Sequence, residues 1–208
     1  MSRVLRVPCG DVNCHLIQGE QGAVLVDTGR SGYGEKLLPL CQRWDVRLIV
    51  LTHGHVDHAQ NAAFLAGELG VPVAMHRLDA PLLEDNERQP LQAHRRLGKL
   101  LLGLSRRGFR DTLLPPFQPD LFLEDGDELS PFGVRAQVVG LPGHTAGSIG
   151  LKTEDGALLV GDAMVHLLSV APALVYADRR QMEDSVARIW ALHPTALYFG
   201  HGRPAQGL

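Results

Sequence analysis

Four residues of types that commonly bind metal ions stand within six positions, in an HxHxDH motif formed by His53, His55, Asp57 and His58. They follow an apolar run at residues 48–51, which is typical of a buried strand. The spacing of His53 and His55 in extended chain points both imidazoles to one side, where they can share a metal. Asp57 and His58 fall where a helix is expected to begin. They would therefore reach the same space from a different angle, which suits a second metal position.

Three more ligand-type residues occur much later in the chain, each beside glycine and after an apolar run: His144, Asp162 and His201. Small neighbours let the backbone turn sharply and approach an ion closely, and strands give rigid support. A single histidine is usually a surface or structural residue, but seven ligand-type residues in this pattern predict a metal centre. Imidazole with carboxylate is a mixture that zinc accepts, and iron and manganese are alternatives.

To bring these residues together, the elements before them must end at one edge of the molecule. The hydrophobic pattern predicts strands at residues 4–7, 14–18, 23–26, 48–51, 71–75, 134–139, 148–152, 157–160 and 196–199. It predicts helices at residues 34–44, 59–69 and 179–192. This mixture of elements indicates an α/β or α+β class, with sheets packed on helices.

The pattern changes between residues 78 and 119, where leucines at helical spacing stand beside basic residues. The leucines are Leu91, Leu97, Leu100, Leu101 and Leu104, and the basic residues are Arg95, Arg96, Lys99, Arg106, Arg107 and Arg110. We interpret this stretch as a helical insertion that covers the metal edge and attracts an anionic substrate. The solvated face of an amphipathic helix or a homodimer contact would give the same pattern, and the oligomeric state stays open.

Composition places few further limits on function. The chain has 208 residues and a formal charge of −3, so we expect one domain over residues 1–208 and no general attraction to nucleic acid. The first residues lack the apolar run of an export signal, and no segment reaches the length of a membrane span, so we expect a cytoplasmic protein. Cys9, Cys14 and Cys41 have no CxxC spacing and are expected to be reduced, buried thiols.

The order of these motifs resembles that of the metallo-β-lactamase-fold hydrolases over nearly the whole chain. The shared features are THxHxDH at residues 52–58, GHTxGS at residues 143–148, the glycine-aspartate pair ending at Asp162, the glycine-histidine pair ending at His201, and the early turn of residues 27–29. The resemblance implies a four-layer αββα sandwich with the site along one edge of two facing sheets.

The resemblance also implies how the ligands divide between two metal ions, with zinc expected at both positions. His53, His55 and His144 would hold the first ion; Asp57, His58 and His201 would hold the second, and Asp162 would bridge them. Asp27 lies outside this set. It either orients the ligand histidines or simply stabilises its loop with a hydrogen bond.

A centre of this kind predicts hydrolysis by a water molecule held between two ions about 3.5 to 4 Å apart. The ions lower the pKa of this water toward about 7. Asp57 is the candidate catalytic residue, because a carboxylate beside that water can hold or move its proton. The expected partner is a small molecule, and neither nucleic acid nor a membrane is expected.

The metal ligands do not select among the chemistries of the fold. The GHTxGS stretch and the compact length resemble the glyoxalase II-like group, which hydrolyses thioesters such as S-lactoylglutathione. Only seven residues follow His201 in this sequence, so we expect no C-terminal helical domain of the kind that binds glutathione in glyoxalase II. Any thioester is therefore expected to be held elsewhere, with residues 78–119 as the candidate.

Other activities of the fold remain as alternatives. A lactonase fits the same ligands, and a persulfide dioxygenase with a single iron resembles the same pattern. A β-lactamase is disfavoured by the absence of an export signal, and a nuclease by short length and net negative charge. Flavodiiron oxidoreductases carry glutamate where His55 stands. A non-catalytic binding module is disfavoured because every ligand position is filled.

Overall fold

The computed structural model describes residues 3–94, 96–111 and 114–207, and the side chains of residues 104–111 lie outside this description. Its strands are β1 (Arg3–Cys9), β2 (Val12–Gln18), β3 (Ala23–Val26), β4 (Val46–Val50), β5 (Val73–Met75), β6 (Leu121–Phe122), β7 (Ala136–Gly140), β8 (Ile149–Thr153), β9 (Ala157–Leu159), β10 (Met164–His166), β11 (Val170–Pro172), β12 (Ala196–Tyr198) and β13 (Ala205–Gln206). Its α-helices are α1 (Gly34–Arg43), α2 (Val56–Ala59), α3 (Ala62–Leu69), α4 (Arg96–Asp111) and α5 (Arg179–Ala191), and two 3₁₀-helices span Arg77–Leu83 and Ser130–Phe132.

The strands form two large sheets and a separate hairpin. The first sheet has the order β1-β2-β3-β4-β5-β6, and the second has the order β13-β12-β9-β8-β7. In the first, β1 to β3 are antiparallel and β3 to β6 are parallel. In the second, the pairing of β9 with β12 is parallel and the other pairings are antiparallel. The hairpin consists of β10 and β11.

Residues that alternate along the strands separate the core into layers. Val24 and Val26 of β3 pack in one buried cluster with Ile149 and Leu151 of β8, so the two sheets face each other. Their neighbour Leu25 belongs instead to a cluster on the opposite face. This alternation follows from the two-residue period of a strand, and it buries both faces of β3.

The outer faces of both sheets are covered by helices. Leu37 of α1 and Leu65 of α3 pack in the cluster on the outer face of the first sheet. Ile189 of α5 packs with Leu158 and Leu197 on the outer face of the second. The result is the αββα arrangement that the sequence resemblance implied, and the predicted fold class is confirmed.

Two predicted helical stretches differ in detail from the structure. The helix expected at residues 59–69 is divided into α2 and α3, because the Asn61 side-chain amide donates to the carbonyls of Thr28, Gly29 and Arg30 at the break. α3 ends at Gly70, whose φ of 64° is favourable for glycine.

The insertion predicted around residues 78–119 contains one 3₁₀-helix and α4, joined by chain without regular structure. Part of that prediction falls on residues outside the described part of the chain. These are Arg95 and the side chains of Leu104, Arg106, Arg107 and Arg110. Within the described residues, no helix is long and apolar enough to cross a membrane.

Candidate metal centre

The HxHxDH motif lies in the connection between β4 and the short helix α2. His53 and His55 stand in the irregular segment after β4, and His55 precedes the first residue of α2 in an extended conformation, with a φ of −71° and a ψ of 146°. Asp57 and His58 follow in the first turn of that helix. The strand and the helix thus present the two pairs of side chains from different directions, as the sequence predicted.

The other three predicted residues follow strands of the second sheet. His144 comes after β7, Asp162 after β9 and His201 after β12. Gly200 is required beside His201, because a Cβ atom there would overlap the Asp162 carboxylate.

All seven predicted residues meet at one place, where they form three overlapping groups of potential ligand atoms. The groups are His53, His55 and His144; His53, His58 and Asp162; and Asp57, His58 and His201, with the ligand atoms of each group within 4.8 Å of one another. His55 Nδ1 lies 3.0 Å from His144 Nε2. The first and third groups have the membership that the sequence resemblance implied for the two metal positions.

Asp162 lies between these groups. Its Oδ1 is 3.6 Å from His58 Nε2, and its Oδ2 is 3.7 Å from His144 Nε2 and 3.2 Å from His201 Nε2. The carboxylate therefore faces one histidine of the first group and two of the second. Asp162 is the residue for which the sequence resemblance implied a bridging role.

Hydrogen bonds on the far side of the rings fix which nitrogen faces the centre. The Nδ1 of His144 is 2.8 Å from the Val175 carbonyl, and the Nδ1 of His201 is 2.7 Å from the Asp11 carbonyl. A carbonyl only accepts, so each Nδ1 carries the proton and donates. In the neutral imidazole, Nε2 is then left with a lone pair directed at the other ligand residues, as metal binding requires.

Asp27 plays a similar part for the histidines of the HxHxDH motif. The Oδ2 of Asp27 lies 2.9 Å from His58 Nδ1 and accepts a hydrogen bond from the Thr52 hydroxyl. The Oδ1 of Asp27 accepts a hydrogen bond from the backbone N–H of Thr52. Because the Thr52 hydroxyl donates to Asp27, its oxygen is available to accept from His53 Nδ1 at 3.0 Å. Asp27 thus both orients histidines and stabilises the loop, and the two roles that the sequence left open coexist.

The buried atoms at the centre fit a bound cation. Among the described residues, His53 Nε2, His58 Nε2 and Asp162 Oδ1 are buried without a hydrogen-bond partner. Such atoms are costly to leave unsatisfied, and buried polar groups of folded proteins are nearly always paired. A divalent ion would satisfy nitrogen and carboxylate oxygen together.

The pKa values of the cluster reflect competition between burial and charge. Burial strongly lowers the pKa of His53, and it lowers that of His55 to about 3. Burial also disfavours the charged forms of His58 and His201, but the Asp27 and Asp162 carboxylates raise the pKa of His58 to about 9, and Asp162 and Asp57 raise that of His201 to about 10.

The carboxylates show the reciprocal effect. Burial raises the pKa of Asp162, but His201 and His58 outweigh it and hold that pKa well below its ordinary value. Burial likewise raises the pKa of Asp57, and His58 and His201 lower it overall. Both carboxylates are therefore anionic near neutral pH, and the site attracts positive charge.

Sequence reasoning missed Asp79, which connects two of the ligand loops. This fully buried carboxylate lies in the insertion and accepts from the backbone N–H of Gly54, 3.1 Å away, and of Gly147, 2.7 Å away. It also accepts from the Thr145 hydroxyl at 2.6 Å. Asn86 adds a bond from the Val56 N–H to its Oδ1 at 2.7 Å. No local motif marks these residues, because their partners are remote in sequence.

A cavity of about 280 Å³ opens beside the cluster. On its polar side, Arg30 forms a bidentate ion pair with Asp11, at 3.0 and 3.1 Å, and lies 3.4 Å from Asp57 Oδ2. The other residues that line the cavity include several predicted metal ligands and a group of aliphatic side chains. The lining is Asp11, Arg30, His55, Val56, Asp57, Leu91, Leu101, His144, Asp162, Val165, Leu167, Ala173, Leu174, Val175 and His201.

Comparison with known proteins agrees with this geometry. The family model of the metallo-beta-lactamase superfamily matches residues 7–201. The chain is 28% identical over 203 residues to the probable metallo-hydrolase YflN of Bacillus subtilis, covering 90% of this chain and 74% of that protein. It is 31% identical over 167 residues to the hydroxyacylglutathione hydrolase GloC of Haemophilus influenzae, covering 77% and 70%. Among solved structures, that of TTHA1623 in a di-iron-bound form superposes with a TM-score of 0.70 at 28% identity, covering 99% of this chain and 94% of that one.

Proposed function

Because the chain belongs to the metallo-beta-lactamase superfamily, we propose that it is a dinuclear metal-dependent hydrolase of thioester- or ester-type carbonyls, similar to the hydroxyacylglutathione hydrolases. The observation that carries this proposal is the buried cluster of three overlapping ligand groups around Asp162. The relative GloC, named for thioester hydrolysis, supports the choice of bond.

In this proposal, His53, His55 and His144 hold one ion, Asp57, His58 and His201 hold the other, and Asp162 contacts both. Zinc is proposed because it accepts imidazole and carboxylate together. Iron is the alternative, and TTHA1623 has been obtained in a di-iron-bound form. When bound, such ions supply water activated for attack at neutral pH and polarise the substrate carbonyl.

The chain's own residues prepare the site for hydrolysis. The Asp57 carboxylate is anionic near neutral pH and lines the cavity, so its Oδ2 can accept or hold a proton beside the attacking water. Arg30, 3.4 Å from that oxygen, fixes the orientation of the carboxylate. The aliphatic side chains along the cavity lower the local polarity, which strengthens the electrostatic interactions inside.

The metal assignment can be tested by replacing Asp162 with alanine and measuring metal content. We expect the purified native chain to hold two ions and the Asp162→Ala variant to lose at least one. Asp184→Ala, at an exposed position of α5, is the matched control and should retain both ions. Retention of two ions per chain by Asp162→Ala would refute the bridging assignment.

The substrate class requires a separate screen, with the metal content of the protein defined. Thioesters, lactones, β-lactams and phosphodiesters are compared with the native protein and with Asp57→Asn, which removes the proposed proton acceptor. We expect hydrolysis of thioesters with the highest kcat/KM. A clear preference for lactones would favour the lactonase alternative, and oxygen consumption with a single iron would indicate a dioxygenase instead.

A further inference from the structure

The cavity beside the ligand cluster has an aliphatic side that the proposed chemistry does not use. The lining on this side includes the aliphatic side chains of Leu91, Leu101, Val165, Leu167 and Leu174. They come from three places, namely the insertion, the hairpin of β10 and β11, and the chain just after β11. A wall assembled from separate elements beside a reactive centre is typical of a site that binds an apolar group.

Specific contacts hold these elements against one another. The backbone N–H of Gln92 donates to the Tyr176 carbonyl at 2.7 Å, and the N–H of Tyr176 donates back to Gln92 at 3.1 Å. At Gly98 of α4, a Cβ atom would overlap the carbonyl of Leu174, so the helix lies directly on this chain segment. Two of the three parts of the aliphatic wall, the insertion and the chain after β11, are therefore held together by direct contacts.

The polar side of the cavity offers little to an anionic substrate. Among the described lining residues, Arg30 is the sole arginine or lysine, and its guanidinium is already paired with Asp11 and lies near Asp57. The described basic residues of the insertion, Arg88, Arg96 and Lys99, are exposed and do not line the cavity. Among the side chains that the structure describes along this cavity, a peptide-like thiol carrying several carboxylates would find no uncommitted cation.

We propose that the chain hydrolyses thioesters whose acyl group is an unbranched aliphatic chain, bound against Leu101, Leu167 and the neighbouring aliphatic residues. The inference rests on the proposed thioester hydrolysis and specifies its substrate class. It departs from the anionic substrate that the sequence suggested. The leaving thiol occupies the open side of the cavity, near Asp11 and Arg30.

The reaction is a hydrolysis that needs only water as co-reactant. A bond forms between the water oxygen and the acyl carbon, and the carbon–sulfur bond breaks with its electron pair going to sulfur. One proton of the water goes to the Asp57 carboxylate and then to the departing thiolate. The products are an aliphatic carboxylic acid, released as its carboxylate with the second proton going to solvent, and a free thiol.

Acyl chain length gives the direct test. The substrates are acetyl, butanoyl, hexanoyl and octanoyl thioesters of N-acetylcysteamine, with S-lactoylglutathione for comparison. Because burial of one methylene contributes about 0.8 kcal/mol, kcat/KM should rise by about fourfold per methylene until the cavity is filled. S-lactoylglutathione should be hydrolysed less efficiently than the hexanoyl thioester.

Two pairs of adjacent residues provide matched variants. Leu101 and Leu167 line the cavity, whereas Leu100, 62% exposed, and Leu168, 98% exposed, do not. Leu101→Ser and Leu167→Ser should lower kcat/KM for the octanoyl thioester by about tenfold and for the acetyl thioester by less than about twofold. Leu100→Ser and Leu168→Ser should leave the whole series unchanged.

A binding measurement separates failure of this inference from failure of the proposed function. Calorimetry with S-octyl and S-ethyl thioethers of N-acetylcysteamine, which are not hydrolysed, should show tighter binding of the octyl compound, weakened by Leu101→Ser and not by Leu100→Ser. Hydrolysis of thioesters without dependence on chain length would overturn the inference alone. Absence of any thioester hydrolysis would overturn the proposed function, and equal binding of the two thioethers would then overturn the inference as well.

Discussion

Asp27 connects two histidines of the proposed metal centre. It binds His58 directly and reaches His53 through the hydroxyl of Thr52. Asp27 has a φ of 59°, a conformation that asparagine also tolerates, so Asp27→Asn changes the charge and one acceptor with little backbone strain. Because the amide NH₂ would replace an acceptor, one of the present donors would lose its partner.

We therefore expect Asp27→Asn to weaken metal binding by about 10- to 100-fold, the usual effect of changing a residue that orients metal ligands. The measurement is competition with a chelator of known affinity. Asp45→Asn is the control, because Asp45 also has a positive φ of 51° and its exposed side chain pairs with Arg47. Equal affinities for the two variants would contradict the orienting role of Asp27.

The residues of the candidate site were predictable from sequence to different degrees. The HxHxDH motif is local, so its spacing alone indicated two pairs of ligand-type side chains. His144, Asp162 and His201 were recognisable because each follows an apolar run and stands beside glycine. Asp79 was not, because its partners Gly54 and Thr145 are remote from it and no pattern in the insertion marks a buried carboxylate.

Among the elements, the 3₁₀-helix of the insertion braces the ligand loops through Asp79. Removing this carboxylate by Asp79→Ala leaves the Gly54 and Gly147 N–H groups without their acceptor, whereas the Thr145 hydroxyl keeps Ser148 Oγ as a partner at 2.6 Å. Each buried donor that loses its partner costs about 1 to 3 kcal/mol, so we expect the free energy of unfolding to fall by at least about 2 kcal/mol.

Denaturant unfolding of the metal-free protein measures this change without interference from bound ions. Asp85→Ala is the control in the same segment, since Asp85 is exposed and its Oδ1 accepts a hydrogen bond from the nearby Glu87 N–H. A loss below about 1 kcal/mol for Asp79→Ala would show that the insertion does not brace the loops.

The helix α5 is joined to the end of β7 by a second carboxylate, Asp125. Its Oδ1 accepts the Gly140 N–H at 2.9 Å, and both oxygens contact Arg188 at 2.8 and 3.0 Å. Partial burial raises the pKa of Asp125, but the hydrogen bond from Gly140 and the charge of Arg188 lower it by more. The folded-state pKa therefore lies below the ordinary value. The stabilisation is therefore present above the ordinary pKa and is lost as the pH falls through the folded-state pKa.

We expect Asp125→Asn to reduce stability at pH 7 and to make no difference at a pH below the folded-state pKa. The two side chains are 52% and 43% exposed, so solvent screening limits the effect to about 1 kcal/mol or less. Thermal unfolding of both proteins from neutral pH to strongly acidic pH measures it. A deficit that persists unchanged in acid would contradict the electrostatic origin.

Elements with a strong two-residue or helical period were predicted well. The span of β3 was predicted without error and α5 within one residue, because both have clear apolar patterns and distinct ends. The strands β6, β10, β11 and β13 were not predicted, because each has two or three residues and depends on pairing with remote chain. The break between α2 and α3 was missed for the same reason, since Asn61 bonds to carbonyls about thirty residues away.

At the scale of the whole molecule, the proposed metal centre joins the two sheets at their edge. Its HxHxDH residues follow β4 of the first sheet, whereas His144, Asp162 and His201 follow strands of the second. The facing sheets also share a buried aliphatic cluster that includes Val26 and Leu151. Bound ions would therefore cross-link two layers that hydrophobic packing already holds together.

This arrangement predicts that metal removal lowers thermal stability without abolishing the fold. A ligand at 100 times its Kd stabilises the folded state by about 2.7 kcal/mol, which corresponds to about 5 to 10 °C in Tm for a chain of this size. We expect a chelator to lower Tm by about this amount, while the metal-free protein retains a cooperative transition because the aliphatic cluster remains. Asp162→Ala, which contacts histidines of both groups, should show a smaller chelator-induced shift than the native chain. An unchanged Tm after demonstrated removal of the metal would mean that the ions do not connect the two sheets.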